Sequence, residues 1–215
     1  MKLCVFDFDS TLMDGETIDT LAQAHGSYHE VASITEAAMQ GKIDFFEALT
    51  RRTRLLQGLS YQSALNICQN LPLMPGAIEC VKGLKALGYT VLIFSGGFRE
   101  ATSYHAKHLG ADADFANFLH HKDGLLTGSV GGEMMHKHAK GELLARIQKI
   151  LNCSSQDTIV VGDGANDLSM FAHSKHAIAF CAKPILQEAA TYTVNTKDLR
   201  EVLAIGQQIS APRTG

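Results

Sequence analysis

The chain begins with an apolar run that leads into two acids: Leu3-Cys4-Val5-Phe6-Asp7-Phe8-Asp9-Ser10-Thr11-Leu12. Its β-branched and aromatic residues predict a strand buried within a parallel sheet. Two carboxylates so close together are costly to bury unless a cation or a reaction uses them. Ligands of open α/β sheets bind beyond the carboxyl ends of the strands, where Asp7 and Asp9 lie. We therefore interpret the pair as functional, against the alternative that both acids only cap the following loop.

The segment that follows, residues 14–74, has a helical pattern without a convincing strand. Its amphipathic stretches cover residues 16–25, 29–40, 44–58 and a fourth that begins at residue 60. Asp44, with Glu47 three residues later, has the pattern of a helix start. We expect a small helical bundle, called the cap (residues 14–74), inserted after the first strand.

From residue 75 onward, strand and helix patterns alternate. Strands are predicted at 90–94, 158–161 and 177–180, helices at 77–87, 99–109, 140–151 and 199–209, and a hairpin around residues 122–124. The fold class is therefore α/β: a Rossmann-like, mostly parallel sheet with an inserted helical-bundle cap domain and a small β-hairpin. The core domain comprises residues 1–13 and 75–209, and residues 210–215 are expected to be a flexible tail.

Composition excludes several classes of function. A net charge of −3 gives no electrostatic basis for nucleic-acid binding. No apolar run approaches the ~20 residues that cross a membrane, and acids interrupt the first apolar run, unlike in a signal peptide. The five cysteines form no C-x-x-C pair, which favours reduced thiols and a cytoplasmic location.

Ser95-Gly96-Gly97 lies between a predicted strand and a predicted helix, so we expect a turn there. Glycines let the backbone approach a ligand closely, and the first amides of a helix bind anions. Lys140, at the start of another predicted helix, adds a positive charge. Together these residues indicate a phosphate site.

Asp163 follows a third strand, and Asn166 and Asp167 follow it closely. Capping of the next helix can explain Asn166 and Asp167, but explains Asp163 less easily. Three strand-end carboxylates, Asp7, Asp9 and Asp163, suit a hard cation, for which we expect Mg²⁺. Beside a cation, one paired aspartate can attack phosphorus while the other moves protons.

In four motifs the chain resembles the haloacid dehalogenase superfamily, and within it the phosphoserine phosphatases. These motifs are, in order, Asp7-Phe8-Asp9-Ser10-Thr11, Ser95-Gly96-Gly97, Lys140 and Gly162-Asp163-Gly164-Ala165-Asn166-Asp167. The resemblance covers nearly the whole chain, because the helical insert also follows the first strand.

The resemblance implies roles for these residues. Asp7 is the expected nucleophile and Asp9 the expected general acid and base. It also implies Mg²⁺ bound by Asp7, the backbone carbonyl of Asp9 and Asp163, with Asp167 supporting these ligands. The residues expected to hold the phosphoryl oxygens are Ser95, Gly96, Lys140 and Asn166.

Substrate choice is expected to lie in the cap. By resemblance, Glu16 faces a substrate ammonium, Arg52 pairs with a carboxylate, and Met39 and Phe45 line the closed pocket. A carboxylate and a guanidinium fork suit those partners. Helical spacing alone would instead make Glu16 a first-turn acid, Arg52 an exposed residue, and Met39 and Phe45 parts of the cap core.

The choice of Arg52 rests on its register within the family's Arg-x-x-Leu-Leu pattern, with Arg51 and Arg54 as alternatives. We also expect the turns at residues 14–15 and 72–76 to act as hinges of the cap. The ten histidines include His120-His121 and His136-x-His138, but no third ligand stands at a familiar spacing, so no zinc site is expected.

The implied reaction is hydrolysis of O-phospho-L-serine to L-serine and phosphate through an aspartyl-phosphate, the final step of serine biosynthesis. Such a protein has a small-molecule substrate, no nucleic-acid or membrane partner, and is a monomer or a homodimer. One alternative is another small phosphomonoester, such as phosphothreonine or phosphohomoserine. Another is a signalling module that accepts phosphate without turnover, which would need neither Asp9 nor a cap.

Overall fold

The computed structural model of the protein describes residues 1–211. A seven-stranded sheet forms its centre, in the spatial order β4-β3-β2-β1-β5-β6-β7. The strands are β1 (Lys2–Phe6), β2 (Tyr89–Phe98), β3 (Ala113–Lys122), β4 (Leu125–Gly132), β5 (Thr158–Gly162), β6 (His176–Phe180) and β7 (Tyr192–Val194). Only β3 and β4 pair antiparallel, so the expected mostly parallel sheet with a small hairpin is confirmed.

Five helices in succession separate β1 from β2, and most later strands are followed by a helix. The helices are α1 (Thr17–His25), α2 (Tyr28–Met39), α3 (Phe45–Arg54), α4 (Tyr61–Gln69), α5 (Ala77–Ala86), α6 (Arg99–Leu109), α7 (Ala139–Leu151), α8 (Leu168–Phe171), α9 (Pro184–Ala189) and α10 (Arg200–Ser210). Among residues 1–211, no helix combines the length and apolarity needed to span a bilayer. The expected tail at 210–215 falls mostly outside the described residues, although Ser210 still belongs to α10.

Strand β1 is buried on both faces, as its apolar sequence predicts. Cys4 and Phe6 pack into the layer that contains residues of α5, α6 and α10. Leu3 and Val5 pack into the opposite layer, with residues of α7, α8 and α9. Because side chains alternate along a strand, each layer receives every second residue of β1. The sheet thus has helices on both faces, and its carboxyl-terminal edge is left for the site.

Four helices, α1 to α4, form the cap. Asp44 begins α3 by accepting a hydrogen bond from the backbone N–H of Glu47, at 2.8 Å, as the sequence predicts. The Glu47 carboxylate pairs instead with Arg51, at 2.7 Å. The two chain segments that join cap and core lie side by side, where Met13 and Leu73 form a β-bridge. The expected hinges lie next to this bridge, and their motion stays a prediction.

The hairpin of β3 and β4 contacts the cap directly. The N–H of Leu126 donates to the carbonyl of Leu59 at 2.8 Å, and the N–H of Gly58 donates to the carbonyl of Leu126 at 2.9 Å. The ring of Tyr61 stacks on His121, with 3.8 Å between ring centroids. The cap is therefore anchored at the hairpin as well as at its connecting segments.

Candidate active site

Asp7 stands at the end of β1 with only 4% of its surface exposed. One carboxylate oxygen accepts a hydrogen bond from the N–H of Phe8 at 2.6 Å, and the other lies 2.7 Å from Nζ of Lys140. Burial raises the pKa of Asp7 well above its usual range, and the nearby Asp167 adds to this effect, whereas Lys140 opposes it. The carboxylate is thus buried and held in one orientation.

Lys140 enters this site from the first turn of α7 and is buried. Its ammonium lies 2.7 Å from Asp7 and 2.6 Å from Asp167. Burial alone would lower the pKa of Lys140, but the two carboxylates outweigh it and raise the pKa. The lysine therefore carries its charge at neutral pH.

Asp167 is fully buried and has both oxygens engaged. One accepts from Lys140, and the other accepts from the N–H groups of Asp163 and Gly164, each at 3.1 Å. A side chain at Gly162 would meet the Asp167 carboxylate, since an added Cβ would lie 2.3 Å from its Oδ2. Asp167 thus supports the strand-end loop and the lysine, and its expected role beside a metal ion stays a prediction.

Three carboxylates form a compact acidic cluster. Asp7, Asp163 and Asp167 each offer an oxygen within 4.8 Å of the other two, the one such cluster of acids, histidines or cysteines within residues 1–211. Burial and then the charge of Asp167 raise the pKa of Asp163 to about 7. Lys140 contributes one positive charge against three carboxylates. This excess of oxygen donors and negative charge fits a divalent cation.

The side chain of Asp9 turns away from the acidic cluster and toward the cap. Its Oδ1 accepts hydrogen bonds from the backbone N–H of Thr17 at 2.7 Å and from the Thr17 hydroxyl at 2.5 Å. Its Oδ2 accepts from the hydroxyl of Ser95 at 3.2 Å. Thr17 was not predicted, although as the first residue of α1 it has an N–H without an intrahelical partner. The cap thus fixes Asp9.

The expected turn at Ser95-Gly96-Gly97 is wrong, because β2 continues through these residues to Phe98. Its register with β3 shifts between Phe94 and Phe98, and neither glycine has a positive φ. The glycines are needed for space. A Cβ on Gly97 would lie 2.5 Å from Oδ2 of Asp9, and one on Gly96 would lie 3.1 Å from the Phe45 ring.

A cavity of about 1040 Å³ lies between the core and the cap. The expected residues that line it are Asp7, Asp9, Glu16, Met39, Phe45, Arg52, Gly96, Asp163 and Asn166. Ser95, Lys140 and Asp167 are buried behind this lining. The cavity also has residues that were not predicted, among them Asp19, Thr35, Lys137, His138 and Lys183.

Glu16 and Arg52 belong to the cap side of this cavity. The hydroxyl of Ser10 donates to Glu16 at 2.7 Å, and burial, followed by the charge of Asp9, raises the pKa of Glu16 to about 8. Arg52 donates from Nε to the carbonyl of Ala48 at 3.2 Å. Burial lowers the pKa of Arg52, while the charge of Glu16 opposes that effect.

Neither alternative arginine lines the cavity. Arg51 has 56% of its side chain exposed and pairs with Glu47 on the surface. Arg54 is exposed as well. The orientation of α3 therefore directs Arg52 alone of the three toward Asp7 and Asp9.

The chain is similar to proteins named as phosphoserine phosphatases. A model of the haloacid dehalogenase-like hydrolase family matches residues 1–175. The phosphoserine phosphatase of Wolinella succinogenes is 56% identical over 204 residues, which cover 95% of this chain and 99% of the relative. The chain belongs to the phosphoserine phosphatase family of the haloacid dehalogenase-like hydrolases.

Two solved structures of phosphoserine phosphatases superpose on the chain with a TM-score of 0.90 and 46% sequence identity. One is a phospho-aspartyl intermediate analogue and covers 95% of this chain and 98% of its own. The other is a substrate-bound complex and covers 95% and 97%. The predicted fold class and the prediction of a phosphatase are thereby confirmed.

Phosphatases of this superfamily are generally metal-dependent, in keeping with the acidic cluster of Asp7, Asp163 and Asp167.

The two apolar residues expected to line the pocket, Phe45 and Met39, differ in burial. The ring of Phe45 lies against Gly96, whereas Met39 is 65% exposed at the rim of the cavity.

Proposed function

We propose that this chain is a Mg²⁺-dependent phosphatase that hydrolyses O-phospho-L-serine to L-serine and phosphate. One observation carries the proposal: a single cavity joins Asp7 and Asp9 on the core side to Glu16 and Arg52 on the cap side. The core side has the groups for phosphoryl transfer, and the cap side has a carboxylate and a guanidinium. These two groups match the ammonium and the carboxylate of a phosphorylated amino acid.

In the first step the Asp7 carboxylate attacks phosphorus, and the bond between phosphorus and the serine oxygen breaks. Asp9 donates its proton to the leaving oxygen, so L-serine departs and an aspartyl-phosphate remains on Asp7. Lys140, 2.7 Å from Asp7, supplies positive charge beside the transferring group. Gly96 and Asn166 would donate to the phosphoryl oxygens, and the Ser95 hydroxyl would turn from Asp9 to join them.

In the second step Asp9, now a carboxylate, takes a proton from water. The oxygen of that water attacks phosphorus, the bond to the Asp7 oxygen breaks, and phosphate leaves. The hydrogen bonds from Thr17 hold Asp9 away from the acidic cluster, which supports the assignment of both proton transfers to this side chain.

The cation would be held by Asp7, Asp163 and the backbone carbonyl of Asp9, while Asp167 orients the loop around Asp163. Oxygen donors and excess negative charge make Mg²⁺ the ion that fits best. When bound, it would reduce the charge repulsion between Asp7 and the phosphate dianion.

The residues on the cap side would determine substrate specificity. On this proposal Glu16 pairs with the ammonium, whose positive charge favours the ionised form of its carboxyl, and Arg52 pairs with the carboxylate. Phe45 and Met39 would exclude water when the cap closes over the substrate. The product L-serine fits the final step of serine biosynthesis. A cytoplasmic location and a monomeric or homodimeric state stay predictions.

The test is phosphate release from O-phospho-L-serine, O-phospho-L-threonine and O-phosphohomoserine, each with Mg²⁺ and with a chelator. We expect the highest kcat/KM for O-phospho-L-serine, and loss of activity in the chelator that Mg²⁺ restores. A preference for another member of the panel would refute the assigned substrate. Activity that survives the chelator would refute the assigned cation.

A further inference from the structure

We infer that Thr35 of α2 is a positioning residue for Arg52, and that it fixes the guanidinium in the orientation that receives the substrate carboxylate. This inference rests on the proposed function, because it assigns Arg52 to that carboxylate. Thr35 lines the cavity together with Arg52 but belongs to a different helix.

The contact joins two helices of the cap. Nη1 of Arg52 donates to the Thr35 hydroxyl oxygen at 3.4 Å. On its own helix, Arg52 donates from Nε to the carbonyl of Ala48 at 3.2 Å. Two bonds from different sides of the guanidinium define its plane. A flexible side chain that is already held in its binding orientation loses less entropy when the ligand arrives.

The Thr35 hydroxyl has one proton, and that proton is already directed elsewhere. It donates to the carbonyl of Val31, at 3.1 Å, one turn earlier in α2. Because the proton is engaged there, the oxygen presents its lone pairs to Arg52 and acts only as an acceptor. Thr35 is thus oriented by its own helix before it orients the arginine.

The neighbouring charges explain why a neutral partner matters. Glu16 and Asp19, both on the α1 side of the cavity, attract the guanidinium electrostatically. An arginine drawn fully onto these acids would have fewer N–H groups and less net charge for a substrate carboxylate. Thr35 holds one N–H from the opposite helix without neutralising the positive charge. It therefore keeps Arg52 available for the ligand.

The experiment measures KM and kcat for two compounds that differ in the carboxylate. O-phospho-L-serine carries it and O-phosphoethanolamine lacks it; where turnover of the latter is too slow, its inhibition constant replaces KM. The variants are Thr35→Val, which keeps the shape but removes the acceptor, and Thr35→Ser, which restores a hydroxyl. Thr50→Val is the matched control, since Thr50 also donates to a carbonyl one turn earlier, that of Phe46, but does not line the cavity.

We expect Thr35→Val to raise KM for O-phospho-L-serine about fivefold, with kcat within twofold, because a hydrogen bond to a charged group is lost. We expect KM, or the inhibition constant, for O-phosphoethanolamine to stay unchanged in Thr35→Val. Thr35→Ser and Thr50→Val should have the KM and kcat of the wild type. An equal rise for both compounds, no rise at all, or no recovery in Thr35→Ser overturns the inference.

If the proposed function itself is wrong, the kinetic results differ from those that would overturn the role of Thr35 alone. A wild-type protein that does not distinguish the two compounds refutes the role of Arg52, and with it the role of Thr35. A wild-type protein that prefers O-phospho-L-serine, together with an unaffected Thr35→Val, refutes the role of Thr35 alone. Thermal unfolding of each variant establishes that the effects arise in folded protein.

Discussion

The two sides of the cavity differ in how firmly their residues are held. On the core side, Asp7, Lys140 and Asp167 are at most 4% exposed and joined by contacts of 2.6 to 2.7 Å. On the cap side, Met39 is 65% exposed and the side-chain bonds of Arg52 are 3.2 to 3.4 Å long. The core-side groups are buried and closely paired, whereas Arg52 is held by longer hydrogen bonds and Met39 is exposed.

This difference follows from the elements that carry each side. Asp7 and Asp163 follow neighbouring buried strands of one sheet, and a third carboxylate and a lysine fix them further. The proposed recognition residues lie on α2, on α3 and at the start of α1. The cap is joined to the core through two connecting segments and the hairpin. Core substitutions are therefore expected to lower kcat, and cap substitutions to raise KM.

The largest effect is expected from Asp7→Asn, which keeps the shape of the side chain but removes the nucleophilic oxygen. We expect kcat for O-phospho-L-serine to fall by at least ~10³-fold. Steady-state phosphate release measures this, and Asp123→Asn in the hairpin turn is the control. A kcat within tenfold of the wild type would contradict the assignment of Asp7.

Thr17→Val tests the contact between the cap and Asp9, the proposed acid and base. The variant loses the hydroxyl bond to Asp9 but keeps the backbone N–H bond, so the acid and base is less well oriented. We expect kcat to fall about tenfold with little change in KM, unlike other cap substitutions. Thr20→Val on the same helix is the matched control, because Thr20 bonds only to the carbonyl of Glu16. A change in KM alone would mean that Thr17 serves substrate binding.

Arg52→Lys tests the recognition side directly. Lysine keeps the charge but cannot offer two parallel N–H groups to a carboxylate, so KM for O-phospho-L-serine should rise about tenfold with kcat within a fewfold. Arg51→Lys, which changes an exposed arginine paired with Glu47, should leave both constants unchanged. If Arg51→Lys raised KM and Arg52→Lys did not, the wrong arginine would have been assigned.

The smallest effect concerns stability at the seam between core and cap. Nε2 of His105, on α6, bonds to the carbonyl of Cys68 in the cap at 3.0 Å, and burial lowers the pKa of His105. In the unfolded chain the pKa of histidine is about 6.5, so below that pH the unfolded chain binds a proton at His105 more readily than the folded chain does. The contribution of neutral His105 to the free energy of unfolding is therefore complete above about pH 6.5 and decreases as the pH falls below it.

His105→Gln keeps an N–H donor for Cys68 and removes the titrating group. Between pH 7.5 and 5.5 its Tm should fall by about 2 °C less than that of the wild type. The Tm of His29→Gln, a change at an exposed position of α2, should fall as that of the wild type does. Parallel Tm curves for wild type and His105→Gln would show that His105 does not contribute to the loss.

Much of the core side could be predicted from the sequence, because local patterns determine it. An apolar strand followed by acids defines where Asp7 and Asp163 lie, and parallel strands bring their ends to one edge. The helices of the cap were predicted for similar reasons, since Asp44 and the glycines after the helices mark their ends. Strand β7 was missed because three residues are too few to form a pattern.

Contacts between distant segments were not predictable. The bonds from Thr17 to Asp9 depend on an irregular turn in which Ser10 adopts φ of 56°. The extended Ser95-Gly96-Gly97 segment depends on space shared with Asp9 and Phe45, not on a positive φ. The hydrogen bonds of Leu126 with Leu59 and Gly58 arise only when the hairpin packs on the cap. Each of these results from tertiary packing that overrides local preference.

The central claim, that Asp7 carries the phosphoryl group during turnover, is tested most directly by rapid acid quenching with O-phospho-L-serine labelled on phosphorus, in the presence of Mg²⁺. We predict a labelled protein that forms before phosphate is released, loses its label to hydroxylamine, and does not form in Asp7→Asn. Turnover without any labelled protein, or a label that persists in Asp7→Asn, would contradict the account.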